Sequence, residues 1–370
     1  GSATPRQLKA PIVRFSLVKA GSLGLAGSGR RTIFSLLTQV AGGSGREAQL
    51  GVLKIPDERL DELNRLHDSR KITPATIQFV LVPGLVKGES QEKLDLPAIR
   101  SVDVLVHVVR AFEDPSVAHL EGSVDPARDI EMVELELTLA DLALVEKRLE
   151  RLQSDSGKGK KVDRQEQEAL ERARTSLADG TPLRVVLSEE DQTRLRGYAL
   201  LTAKPLLLLL NVGEDDDAAR DELPEKLGLS RWVEAPEVRL AYASAKIEAE
   251  MAELSPEDAR AFRESLGLAE DPIQRIVSAA FELLGMITFY TISEKELRAW
   301  VIARGTPAAA AAGTIHSDME RGFIRAEVVA YEVLTEEGTW NACRDKGTLR
   351  LEGKDYPLAD GDVVIFRFNV

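Results

Sequence analysis

The sequence predicts an α/β protein, a mostly parallel sheet covered by helices on both faces, followed by a smaller α+β module. Three observations carry this reading. Short β-branched or Leu/Val-rich runs alternate with helical patterns through the first half. A glycine-rich stretch, Gly24 to Gly29, lies between the first of those runs and a helical one. After about Met286 the pattern changes to short strands separated by turn signals such as Asp360-Gly361-Asp362.

Candidate strands are Val18 to Leu23, Gln49 to Ile55, Ala75 to Val82, Val102 to Val109 and the Leu206 to Leu210 run. Continuous apolar strands of this kind are buried on both faces. Thr32 to Thr38 reads as the helix after the glycine stretch. Ile130 to Gln153 places Leu135, Leu139, Leu142, Val145, Leu149 and Leu152 at helical spacing, and the polar Ser154 to Lys161 stretch breaks it. Arg164 to Leu177, with Leu170, Ala173 and Leu177 on one face, packs back as an antiparallel hairpin inserted into the α/β domain. In the C-terminal module, Pro307 to Ala312 reads as a short helix because alanine is the best helix former. Arg325 to Tyr331, Thr348 to Glu352 and Val363 to Val370 read as its strands.

At 370 residues the chain has room for two or three domains. Lys and Arg number 48 against 61 Asp and Glu, a net charge of −13, which excludes coating nucleic acid through bulk charge. No DNA partner is expected, and any RNA contact needs a local basic patch. The single cysteine, Cys343, excludes an internal disulfide and a cysteine-based zinc cage, and it points to a reducing compartment, the cytoplasm. It reads as a loop thiol. No apolar run reaches the ~18 to 20 residues of a membrane span, so no membrane partner is expected. His316 has no metal-ligand partners at useful spacing, and no metal site is assigned.

The chemistry centres on Gly24-Leu25-Ala26-Gly27-Ser28-Gly29-Arg30-Arg31-Thr32. Its outer glycines have the spacing of G-x-x-x-x-G-K-[ST], in which backbone N–H groups cradle phosphates, the Lys reaches the β and γ phosphates and the hydroxyl binds Mg²⁺. Arg30 stands at the Lys position and Arg31 at the hydroxyl position. The phosphate candidates are thus Gly24, Gly27, Gly29, Arg30, Arg31 and Thr32, and the alternative is a strand-to-helix turn with no ligand.

From about Lys19 to Val370 the chain resembles the Obg-like ATPase family known as YchF, a branch of the translation-factor class of P-loop NTPases. The residues that carry the likeness include Lys19-Ala20-Gly21, Gly84-Leu85-Val86-Lys87-Gly88, His107 to Asp114, Leu200 to Pro205, Asn211-Val212-Gly213-Glu214, Gly322 to Glu327 and the ending Phe366-Arg367-Phe368-Asn369-Val370. The resemblance implies a G-domain over 18–129 and 199–284, a helical hairpin over 130–198 and a TGS-type β-grasp module over 285–370, after an N-terminal extension of residues 1–17. It also implies a preference for ATP and association with the ribosome, its RNA or a translation protein. Base recognition would fall to Asn211, Val212 and Glu214, the family's N-x-x-E element, and to Ser244, Ala245 and Lys246. His119 falls where the family carries a histidine proposed to assist hydrolysis.

Departures from the family pattern define the functional expectation. Beside Arg30 and Arg31, Leu81 replaces the Asp of Asp-x-x-Gly, and the switch stretches Gln39 to Leu50 and Glu89 to Ala98 are shortened. Loss of one electrostatic contributor to phosphoryl transfer costs ~100 to 1000-fold, so the expectation is a degenerate member of the family. It would keep ATP or GTP as a candidate ligand, lack the Mg²⁺ site and hydrolyse poorly. The alternatives are a slow but active ATPase or GTPase using Arg30 as its phosphate donor, and a structural partner of another translation protein. Lys158, Lys160, Lys161 and Arg164 gather at the hairpin turn and read either as an RNA contact or as a solvated turn.

Overall fold

The computed structural model describes residues 18–43, 47–83, 96–214, 221–265 and 271–369. The N-terminal extension, Gly84 to Gly88, most of the second switch stretch and part of the first lie outside the described residues. Strands run in chain order as β1 (Val18–Leu23), β2 (Gln49–Lys54), β3 (Ile72–Thr73), β4 (Thr76–Leu81), β5 (Val104–Ala111), β6 (Leu206–Val212) and β7 (Val238–Ala243). They continue as β8 (Met286–Ile292), β9 (Leu297–Ala303), β10 (Phe323–Ala330), β11 (Arg350–Glu352) and β12 (Asp362–Phe368). The helices that bear on function are α1 (Arg30–Thr38), α2 (Glu58–His67), α3 (Leu96–Arg100), α4 (Pro126–Gly157) and α5 (Arg164–Ala178).

Two compact units result, one of Lys19–Leu53 with Gln78–Leu283, the other including Lys54–Ile77 and Leu284–Val370. In the first, the strand order is β2-β4-β1-β5-β6-β7. Parallel pairing joins β1 to β5, β5 to β6 and β6 to β7, with Ala20 beside Val104, Leu105 beside Leu206 and Leu206 beside Val238. The sequences VLVHVVRA and LLLLLNV leave these central strands almost wholly buried, as strands covered on both faces must be. Ligand crevices of such sheets lie beyond the carboxyl ends of the strands.

Helix α4 is longer than its apolar spacing predicts. Asp125 caps it by accepting from the Arg128 N–H, Pro126 fills the first turn, and it runs to Gly157. The single apolar stripe expected through Leu135 and Leu139 does not form, and both are exposed. Instead Ile130, Val133 and Leu137 pack into the sheet's core. A different stretch, around Val145 and Leu152, packs with Ala169, Leu170, Ala173 and Leu177 of α5. The helix changes partner along its length, so its buried face rotates, and one periodic stripe could not describe both halves.

The second unit has the strand order β11-β10-β12-β8-β9-β3. β10 pairs antiparallel with β11 and β12, and β8 with β9, whereas β12 with β8 and β3 with β9 are parallel. The segment Lys54–Ile77 therefore goes with the C-terminal residues, outside the boundaries the sequence suggests: Ile72 of β3 pairs with Leu297 of β9. The alanine-rich helix Ala308–Ile315 buries Ala308, Ala311 and Ala312 against Ile287, Val328 and Phe366. Cys343 is not a loop thiol. The Thr339 hydroxyl caps the helix Trp340–Asp345, and position 343 falls on its buried face. Among the described residues no helix is long and apolar enough to cross a membrane.

Candidate nucleotide site

Where β1 ends, the chain turns through Gly24 at φ +140°, and a Cβ there would stand 2.4 Å from the Val108 carbonyl oxygen of β5. Gly29, at φ +90° just before α1, is as confined: its Cβ would lie 2.1 Å from Asn211 Nδ2. Only glycine fits both positions, because the loop is pressed onto the ends of β5 and β6. Asn211 fastens that contact. Its Nδ2 donates to the Ser28 carbonyl at 3.0 Å, and its Oδ1 accepts the Ala245 N–H at 3.0 Å. One side chain thus ties the glycine loop to the turn after β7.

The loop 25–32, the segment 112–115 and the turns at 211–214 and 244–246 surround a cavity of about 1100 Å³. Gly27, Gly29, Arg30, Arg31, Thr32, Asn211, Val212, Glu214, Ser244, Ala245 and Lys246, separated in sequence, share its wall. Gly24 is not part of that wall. Lys246 Nζ pairs with the Glu214 carboxylate, both exposed, and this pairing raises the Lys246 pKa above that of a free lysine. The hydroxyls of Ser28 and Ser244 are buried with no partner among the described residues.

Arg30 does not project into that space as a free cation. Its side chain is buried, and an Nη1 N–H donates to the Val82 carbonyl at 2.7 Å, just past β4. Burial, reinforced by the adjacent Arg31 charge, brings the guanidinium down to about 10. Its Nε is buried without a partner, as are both ring nitrogens of His107 on β5. Burial and the charge of Arg30 hold His107 down at about 3, so the ring is neutral at physiological pH. Arg31 is exposed, and Leu81 is buried at the end of β4.

Of the remaining candidates, His119 stands outside the cavity wall. Its Nδ1 accepts the Glu121 N–H at 3.1 Å, leaving Nε2 to carry the proton and donate to Asp129 Oδ2 at 2.9 Å. At the hairpin tip Lys160 pairs with Asp155 at 2.7 Å, and Lys158 and Lys161 are exposed. Arg110 has a role that the sequence reading missed. It donates to the carbonyls of Phe112, Asp114 and Val117 at 3.1, 3.2 and 2.9 Å and lies over the Phe112 ring, fixing the 112–117 wall. The available signal was an arginine closing an otherwise apolar strand.

A glycine loop joining the first strand of a parallel sheet to a helix, at the sheet's carboxyl edge, defines a P-loop NTPase fold. The comparisons narrow that class. A family model for the YchF-GTPase C-terminal region, described as a protein of unknown function, matches residues 286–369. The chain is 39% identical over 362 residues to the ribosome-binding ATPase YchF of Bacillus subtilis, covering 95% of this chain and 99% of that one. It is 33% identical over 378 residues to Obg-like ATPase 1 of Pongo abelii, covering 97% and 95%. Among solved structures it is similar to the Schizosaccharomyces pombe YchF GTPase, with a TM-score of 0.78, 28% identity and coverage of 95% and 97%. The chain belongs to the YchF/Obg-like ATPase family.

Proposed function

We propose that this family member is a ribosome-associated nucleotide-binding protein of the cytoplasm whose Mg²⁺-dependent hydrolysis is impaired. The observation that carries the reading is the inward turn of Arg30. The cation at the P-loop lysine position donates to the Val82 carbonyl instead of facing the cavity. At the hydroxyl position Arg31 offers a guanidinium, and Leu81 stands where the family pattern has a carboxylate. These residues do not fit a divalent cation, which takes oxygen donors, and no step is drawn through one.

The site fits a nucleotide better than a metal. The loop's backbone amides, the orphaned Ser28 and Ser244 hydroxyls and the Asn211 brace surround enough volume for ATP or GTP. Glu214 and Lys246 line the cavity, and the likeness to the family's N-x-x-E element supports assigning them to the base edge. Ribosome association follows from the relatives, which are named ribosome-binding ATPases. The hairpin tip and a TGS-like C-terminal module are its candidate contact regions.

Calorimetric titration of ATP and GTP with and without Mg²⁺, paired with a phosphate-release assay, tests the reading. Binding that survives chelation, with release at background, is expected. A second reading, slow hydrolysis with Arg30 as phosphate donor, draws on the unpartnered Nε, because a cation so placed gains by leaving. Mg²⁺-dependent release abolished by Arg30→Ala would establish it instead.

A further inference from the structure

On β10 the buried side chain of Glu327 points away from the unit's apolar core, because its neighbours Ala326 and Val328 fill that core. Arg367 of β12 grips the carboxylate with Nε at 3.0 Å and Nη2 at 3.1 Å. Two more guanidinium groups gather on it. Arg325 Nη2 and Arg344 Nη2 each stand 3.7 Å from a Glu327 oxygen, near enough for Coulomb attraction and too far for a hydrogen bond. Arg325 is moreover directly opposite Arg367 across the strand pair, where like charges repel. One carboxylate holds three cations, which leaves a local charge of +2 on a protein of net −13. The same carboxylate is held below its usual range, first by the Arg367 hydrogen bonds and then by the other charges, so it stays ionised.

We propose that this arginine cluster, Arg325, Arg344 and Arg367 around Glu327, is a contact surface for the phosphodiester backbone of RNA. The guanidinium groups of Arg325 and Arg344 make no hydrogen bond among the described residues, and both side chains are about half exposed. Each therefore keeps a planar pair of donors that matches two phosphate oxygens. Leu351, paired opposite Glu327 on the edge strand β11, is 63% exposed and supplies apolar surface beside the cations. The flat guanidinium groups suit a strand presenting phosphates and unstacked bases, which pair with and stack on arginine. At physiological salt the Debye length is about 8 Å, so the acidic remainder of the chain is largely screened from a ligand at the cluster. Arg367 serves as the anchor, and Arg325 and Arg344 are the contact residues. The inference rests on the ribosome-association reading and assigns its chemistry to RNA.

The test measures fluorescence anisotropy of a labelled 20-nucleotide single-stranded RNA of mixed sequence with the full chain across a salt series, beside ribosome co-sedimentation. The Arg325→Glu/Arg344→Glu variant leaves the anchor pair intact. It is expected to lose at least tenfold in RNA affinity at 0.1 M salt and to flatten the log–log salt slope by about 1.4, at ~0.7 for each phosphate no longer neutralised. Should that variant melt early, Arg325→Gln/Arg344→Gln replaces it, with the same direction expected, and Lys at both positions should restore part of the affinity. An unchanged slope and affinity in the folded variant, or no RNA binding by the parent chain, overturns the proposal. If the variant loses ribosomes and keeps RNA binding, the face docks a ribosomal protein, and the RNA assignment fails while the association reading stands. Failure of the parent chain to co-sediment with ribosomes defeats the association reading separately.

Discussion

Arg30 is buried and spends one N–H on the neutral carbonyl of Val82, whereas Arg367 lies half exposed and gives two donors to the carboxylate of Glu327. The two sites show opposite consequences for the same side chain. Without a counter-charge, burial brings Arg30 down to about 10 and leaves its Nε orphaned. With one, the hydrogen bonds raise Arg367 above its ordinary value, and the carboxylate gathers two further arginines. A cation built into the strand-end architecture braces the fold. A cation anchored by a shared carboxylate on the surface remains available to a ligand.

The largest effect that could break this contrast is at Arg30. Arg30→Glu places a carboxylate against the Val82 carbonyl oxygen with only the exposed Arg31 charge nearby, and it should cost about 3–5 kcal/mol in denaturant unfolding. Arg30→Met keeps the apolar stem, removes the buried charge and should stay within about 1 kcal/mol of the parent. If Met also destabilises by several kcal/mol, the Val82 hydrogen bond matters more than the burial of charge, and the contrast with Arg367 disappears.

At the surface cluster the expected loss is smaller. Arg367→Ala removes both hydrogen bonds to Glu327 but leaves Arg325 and Arg344 beside it, so the melting temperature should fall by the equivalent of about 1 kcal/mol. A larger loss in Glu327→Gln than in Arg367→Ala would show that repulsion among the three arginines, released by neutralising their anchor, dominates that face.

A pH dependence beside Arg30 sharpens the same contrast. His107 has a folded pKa near 3 against an ordinary value of 6.5, so between those limits the unfolded chain binds the extra proton. Stability is therefore fully present above about pH 6.5 and declines as pH falls toward 3. His107→Leu should lose part of that decline when midpoints at pH 7 and 5 are compared. Equal pH slopes in the two proteins would mean that the buried ring is not the group being titrated.

Most of the first sheet was legible because its strands are continuous apolar runs, and the glycine loop because strand, loop and helix follow one another directly. Ser244 to Lys246 could be placed near Asn211 through the family likeness, since nothing in their local spacing links them. The direction of Arg30 was not legible. A motif position specifies which residue is present, but the Val82 carbonyl that captures it lies 52 residues away. Helix α4 misled for a related reason, because periodicity gives a face and not the identity of what covers it. Glu327 and its arginines come from three separate stretches that only the antiparallel register and the helix Trp340–Asp345 bring together.

The pairing of β3 with β9 sets an order of events during synthesis. Ile72 leaves the ribosome 225 residues ahead of its partner Leu297. At about 5–20 residues per second, that is a wait of roughly 10–45 s. Through that interval β3 has no strand to pair with, and Asp57 of the same segment has yet to meet the Tyr290 hydroxyl it binds in the finished fold. A nascent chain halted before β9 should hold residues 54–77 open to protease, and one extended past β12 should protect them. The C-terminal unit is consequently encoded in two stretches far apart in the gene and closes only after the second has been translated.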